Sequence, residues 1–278
     1  MSYFITDIKK IYKGRIVKWM LIFLFIVMVA DPISVYIINA DYEKFFEVIG
    51  ANPFQFWLLM NSSSWGNTVF HTVFWALPVL STGLVFYNER QSSMFELLVV
   101  RNSKQKYYLA KIAATFAVTL INFFILFLIN ILVTYLIFSV DAPMTKQYMY
   151  LIPKEGMFSY AFYQKSPLSM AILYSFLNAL TIALFSLFVL AIHAIATLKN
   201  RYVAILVPFI ALYLIDYVTS LMLRSNLNYD LGVIIQPRAA SAVIDIIHSV
   251  DVIIVFAIVT LVVLISLVIG YIRNRETL

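Results

Sequence analysis

Long apolar runs alternate along the chain with short polar or charged breaks. Runs at 16–38, 67–87, 111–138, 169–198, 202–222 and 251–271 each reach the roughly 20 residues a helix needs to cross a bilayer. The pattern therefore predicts an all-α integral membrane protein with six transmembrane helices in a single domain, 1–278. Residues 1–15 differ, because Phe4, Ile8, Ile11 and Tyr12 recur on one helical face while Asp7, Lys9, Lys10 and Lys13 fall on others. That is the pattern of an amphipathic helix lying at the membrane interface. A basic start ahead of an apolar run also has the form of a secretory signal, but Met28-Val29-Ala30 is a poor cleavage site and further spans follow. The reading is an uncleaved helix leading into span one. Pro32, after Asp31, removes a helical hydrogen bond, so a kink or an end is expected there.

The breaks predict the connections. Residues 39–66 carry Asp41, Glu43 and Glu47 against Lys44, with Asn52-Pro53 as punctuation, and read as an outer loop with short interfacial helices. Residues 139–167, Tyr-rich and broken by Pro143, Pro153 and Gly156, form a second outer loop. Only Lys199-Asn200-Arg201 separates spans four and five, which makes them an antiparallel pair. Residues 223–250 form a third outer segment. Its apolar stretches around Gln236-Pro237-Arg238 are too short to cross, but can re-enter the membrane where protein covers the broken backbone.

Composition agrees, with 63% hydrophobic and only 12% charged residues among 278. Cysteine is absent, which excludes disulfides, thiolate metal sites and cysteine nucleophiles. The net charge of +6 points to the bilayer and not to nucleic acid, because the basic residues crowd at span ends. In the six-span arrangement 14 of the 20 Lys and Arg fall on the side holding both termini and 6 on the other. That bias places both termini in the cytoplasm. Asp7, Glu89, Glu96 and Glu276 share that side, and the other ten acids lie outside or near the outer span ends.

Chemistry is mostly excluded. None of the seven glycines stands in a phosphate-cradling Gly-Lys-Ser/Thr loop, and His71, His193 and His248 lack a His or Glu partner at metal-ligand spacing. No Gly-flanked Ser supports a serine nucleophile. Asp216 is the acid placed deepest in a span, where a carboxylate marks an ion or proton path. Its neighbours Tyr217 and Thr219 also allow it to reach interfacial water, with Arg224 as a counter-ion if the helix continues.

One charged island, 87–111, lies between spans two and three. Arg90, Arg101, Lys104, Lys106 and Lys111 outnumber Glu89 and Glu96, and Met94, Phe95, Leu97 and Leu98 form an apolar edge. The spacing of Met94, Leu97 and Leu98 predicts one or two helical turns against the inner membrane surface, able to press into a groove on a soluble partner. The series Glu89-Arg90, Ser92, Phe95-Glu96-Leu97-Leu98, Ser103-Lys104 and Leu109-Ala110-Lys111 resembles the loop between the second and third spans of type 2 permeases of ABC transporters. Ser93-Met94 stands where that family has Gly-Thr, a proline is absent near Asn102, Ala110 replaces a glycine, and the spacing from Glu96 to Lys111 is about one residue short. The resemblance implies a coupling helix that takes up the motion of two copies of a separate ATPase subunit through Glu89, Met94, Phe95, Glu96, Leu97 and Leu98. It also implies a dimer with a second permease, identical or related, in a bacterial plasma membrane. ATP and Mg would be bound by the ATPase, and this chain would perform no bond-breaking chemistry. Two other readings compete: an ion-coupled transporter or channel using Asp216 or Asp31, and a membrane scaffold or sensor without transport.

Overall fold

The computed structural model describes residues 2–39, 53–91, 104–138, 153–196, 198, 200–243 and 245–273, and every regular element among them is helical. The long helices are α2 (Arg15–Asn39), α6 (Lys104–Ile137), α8 (Pro167–Ile195), α9 (Arg201–Met222) and α12 (Ser249–Arg273). All five are long and apolar enough to cross a membrane, as expected of an all-α multi-pass protein. The shorter elements are α1 (Ser2–Lys13), α3 (Pro53–Phe56), α4 (Trp65–Val73), α5 (Leu84–Gln91), α7 (Tyr160–Lys165), α10 (Leu231–Ile234) and α11 (Pro237–Ala242).

Helix α8 is the centre of the bundle, with Ala171, Tyr174, Ala179, Ile182, Ala183 and Val189 fully buried. Its ends follow from local chemistry. Ser166 accepts from the Leu168 amide ahead of Pro167 in the first turn, and Ala196 turns extended at the other end. Asn200 caps α9 by accepting from the Tyr202 amide, which starts the helix at Arg201. Helix α12 lies against α8 through small residues: a Cβ on Gly270 would stand 2.8 Å from the Ala194 Cβ.

The apolar run at 67–87 is not one uniform helix. Helix α4 passes into a 3₁₀ turn (Phe74–Ala76), a π-helical turn (Val79–Gly83) and then α5. Pro78 sits at the change, and its carbonyl accepts from the Ser81 hydroxyl at 3.0 Å and the Ser186 hydroxyl at 3.4 Å. Hydroxyls thus supply what the broken ladder lacks. The run begins beside Ser34, whose Oγ accepts from the Trp65 indole, and ends with Gln91 donating to the Leu198 carbonyl.

Pro32 neither ends α2 nor leaves it unsatisfied, since the helix continues to Asn39. Its missing N–H frees the Met28 carbonyl, and Asn130 of α6 donates to that oxygen at 2.7 Å. Asn130 also accepts from the Leu58 amide. The sequence predicts an outer loop with short interfacial helices over 39–66; within its described part α3 is such a short helix, yet Phe54, Trp57 and Leu58 are fully buried in the main core. Asn67 donates to the Leu58 carbonyl, so side chains from two helices satisfy this inserted backbone. The 231–242 segment follows the same logic: Ile234 and Pro237 are buried, and Asn178 in mid-α8 donates to the Ile235 carbonyl at 2.7 Å.

One boundary differs from expectation in a way that positions the site. Helix α6 starts at Lys104, not near 111. At 34 residues and 1.5 Å per residue it is about 51 Å long, well beyond a ~30 Å hydrocarbon layer. Its first turns lie in the charged island.

Candidate functional site

The ends of the island are held by buried charges. Asp7 is three residues beyond Phe4 and four before Ile11, so it shares their inward face, and Phe4, Ile8 and Ile11 pack on Val17, Ala114 and Val118. That placement carries the Asp7 carboxylate to Lys111, whose Nζ lies 2.8 Å from Asp7 Oδ1 and 2.6 Å from Glu89 Oε2. Lys111 is 2% exposed, so its ammonium has exchanged water for these two carboxylates. Lys10 reaches the second Glu89 oxygen at 2.8 Å, and the Tyr107 hydroxyl donates to Oε2 at 2.7 Å. Two acids and two bases balance.

The two acids are not equivalent. Burial alone would raise the Glu89 carboxyl, but the Lys111 charge and hydrogen bonds from Lys10, Lys111 and Tyr107 outweigh it and hold the group below its ordinary 4.5. Asp7 has burial as its largest influence, a share of Lys111 as its main compensation, and Glu89 as a repelling neighbour. It is pushed above its ordinary 3.8.

Arg90 faces the other way. Its Nη1 donates to the carbonyls of His193 at 2.6 Å and Ala194 at 3.3 Å, in the last turn of α8. Carbonyls there have no helical partner, and the helix dipole favours a cation. Adjacent residues Glu89 and Arg90 thus join α5 to α1 and α6 on one side and to α8 on the other.

Of the residues predicted for partner contact, the structure places Glu89 in this buried cluster, where it serves the fold and not an exposed surface. Met94, Phe95, Glu96, Leu97 and Leu98 lie outside the described residues. Asp7, read from the sequence as lying off the apolar face, shares that face instead; Asp7, Lys10, Tyr107 and Lys111 were not singled out as a site, although a carboxylate three residues after Phe4 and four before Ile11 was a usable signal that a cation must meet it.

Asp31, a candidate ion-linked acid, is fully buried, and its Oδ1 accepts from the Gly66 amide at 2.9 Å in the first turn of α4. It anchors a helix start. Asp216 is half-buried near the end of α9 and lines two cavities that also share Trp75. One, of about 400 Å³, is walled by apolar side chains including Phe185, Phe188, Val255 and Val259. The other, of about 470 Å³, carries His71, Ser220, Asp230 and Gln236. Helix α9 ends at Met222, so Arg224 lies beyond it, and among the described residues no basic side chain pairs with Asp216. Among the described residues no group of three His, Asp or Glu is placed to hold a metal ion. No protein-family model, curated protein or solved structure matches the chain.

Proposed function

We propose that the chain is the membrane permease subunit of an ATP-driven ABC exporter, coupled to a separate ATPase through the island at 87–111. The single observation that carries this reading is the way the island's ends are mounted. Glu89 and Lys111 meet in one buried ion pair, and Arg90 caps α8. A push on residues between those anchors is passed to α1, α6 and α8 together, as a lever needs. The resemblance of 89–111 to type 2 permease loops supports the same assignment.

In this reading the interrupted helical run at 67–87 is the sixth crossing, the basic end of the bundle is cytoplasmic, and both termini lie on that side. ATP and Mg bind two copies of the partner ATPase, whose closure presses on Met94, Phe95, Leu97 and Leu98 while Glu96 orients the contact. The permease, paired with a second copy or a related chain in the plasma membrane, is the two-state element that this binding biases.

The test is the stoichiometry of ATPase to permease after purification in mild detergent. Leu97→Ala combined with Leu98→Ala should release the ATPase and abolish transport, since each Leu fully buried in a partner groove contributes about 1.5–3 kcal/mol. Lys104→Ala should be mild. Unchanged stoichiometry with normal ATP-driven transport in the double variant sinks the proposal.

A further inference from the structure

From the two cavities that meet at Asp216 we infer a binding site for a lipophilic organic cation: an apolar body in the chamber walled by Phe185 and Val259, and one positively charged nitrogen between Asp216 and Asp230. The apolar chamber, about 400 Å³, is within the roughly 300–1,000 Å³ of small-molecule sites, and convergent polar groups at one edge are what fix a ligand's orientation there.

The sign of the ligand's charge follows from the second chamber. Asp216 and Asp230 both line it, and among the described residues no Lys or Arg lines either cavity. Asp230 is buried and fixed, with Oδ1 accepting from the Gly232 amide at 2.8 Å. The two carboxylates converge across Gly232: a Cβ there would stand 3.2 Å from Asp230 Oδ1 and 3.7 Å from Asp216 Oδ1. The absence of that methyl leaves open the space between two anionic oxygens. A cation placed there gains from both carboxylates. An anion is repelled, and a bare metal ion lacks the third ligand it needs among the described residues.

Two sources supply this chemistry, a free amphiphilic cation and a lipid with an amine head. The site names a cargo class for the permease reading and rests on that reading only for its being cargo. Binding needs no ATPase, so a failed binding test removes the site and leaves the coupling contact to the stoichiometry measurement.

Rhodamine 6G, a fluorescent lipophilic cation, is titrated onto the purified full chain in maltoside detergent and its anisotropy followed. Tetraphenylphosphonium and tetraphenylborate, alike in shape and opposite in charge, serve as competitors. The phosphonium should displace the dye and the borate should not. Asp216→Asn should weaken dye binding about tenfold or more. Gly232→Ala keeps both charges, and Gly232 needs no positive φ, so this variant should fold normally by circular dichroism and still weaken binding. Arg224→Ala should change nothing. Phosphatidylethanolamine added in the same assay separates the sources: displacement assigns the site to a lipid amine, persistence to a free cation. Equal dye affinity in wild type, Asp216→Asn and Gly232→Ala, or displacement by tetraphenylborate as strong as by tetraphenylphosphonium, overturns the inference.

Discussion

Lys111 and Glu89, on opposite sides of the charged island, meet at 2.6 Å in the protein interior, with Asp7 on the far side of the same ammonium at 2.8 Å. The pair closes the island into a loop whose two ends cannot separate without exposing buried charge.

Removing one partner should therefore cost more than removing a surface charge. Lys111→Met leaves two buried carboxylates with only Lys10 between them. Such a loss typically destabilises by about 3–5 kcal/mol. The expected outcome is a large fall in the apparent melting temperature of the detergent-purified chain. Replacing Lys111 with Met and both acids with their amides should recover much of it, since the unpaired charges are then gone. A Lys111→Met chain as stable as wild type would show that the pair does not hold the island.

The two acids should make opposite marks on pH dependence. Glu89 is held below 4.5, so its stabilisation is present above that pH and is lost as pH falls through the depressed value. Asp7 is raised above 3.8, so its contribution favours the fold below that pH and is lost as pH rises through the raised value. In wild type the two partly cancel in the acid range. Asp7→Asn should steepen the loss of stability on acidification, and Glu89→Gln should flatten or reverse it. Melting temperatures of the three chains between pH 3 and pH 6 give the comparison, and parallel curves would contradict the assignment.

Five spans, the amphipathic first helix and the start of α9 at Arg201 were legible in the sequence, because each depends on local periodicity or one capping side chain. What was not legible depends on partners far away in the chain. Residues 53–60 have the punctuation of a loop, and only Asn130 and Asn67 make their burial affordable by accepting from and donating to Leu58. Pro32 reads as a break until Asn130 is seen to donate to the carbonyl it frees. Asp216 was identified by its depth alone, whereas its pairing with Asp230 across Gly232 comes from a segment that appears in sequence only as an outer connection. The partner-contact residues Met94 to Leu98 remain a reading of the sequence.

Arg90→Ala should loosen the junction between α5 and the end of α8. A charge-assisted hydrogen bond of this kind contributes about 1.5–3 kcal/mol, and two carbonyls in the last turn of α8 lose their donor. Hydrogen exchange should rise around 193–200 with little change in mid-α8. Uniform exchange across α8 in the variant would assign Arg90 a surface role only.

Gly66 and Asp31 offer the most direct check on how the interrupted helical run is seated. A Cβ on Gly66 would stand 2.5 Å from Asp31 Oδ1 and 2.6 Å from its Cγ, far inside contact distance. Asp31 is fully buried, with Oδ1 fixed by the Gly66 amide, so its side chain has no open space into which to swing. Gly66→Ala must therefore push α4 away from α2, and overpacking of this kind costs about 1–3 kcal/mol. Asp31→Gly, in contrast, removes the obstacle, whose Cβ alone would stand 2.6 Å away, together with the hydrogen bond, leaving the Gly66 amide without its acceptor. Each single change should lower stability, but the double change should lose less than the sum, because the Gly66→Ala methyl occupies room the Asp31→Gly change vacates. Melting temperatures of the four chains form the cycle. Strict additivity would mean that the two residues do not touch, and the seating of the run beside Asp31 would have to be abandoned.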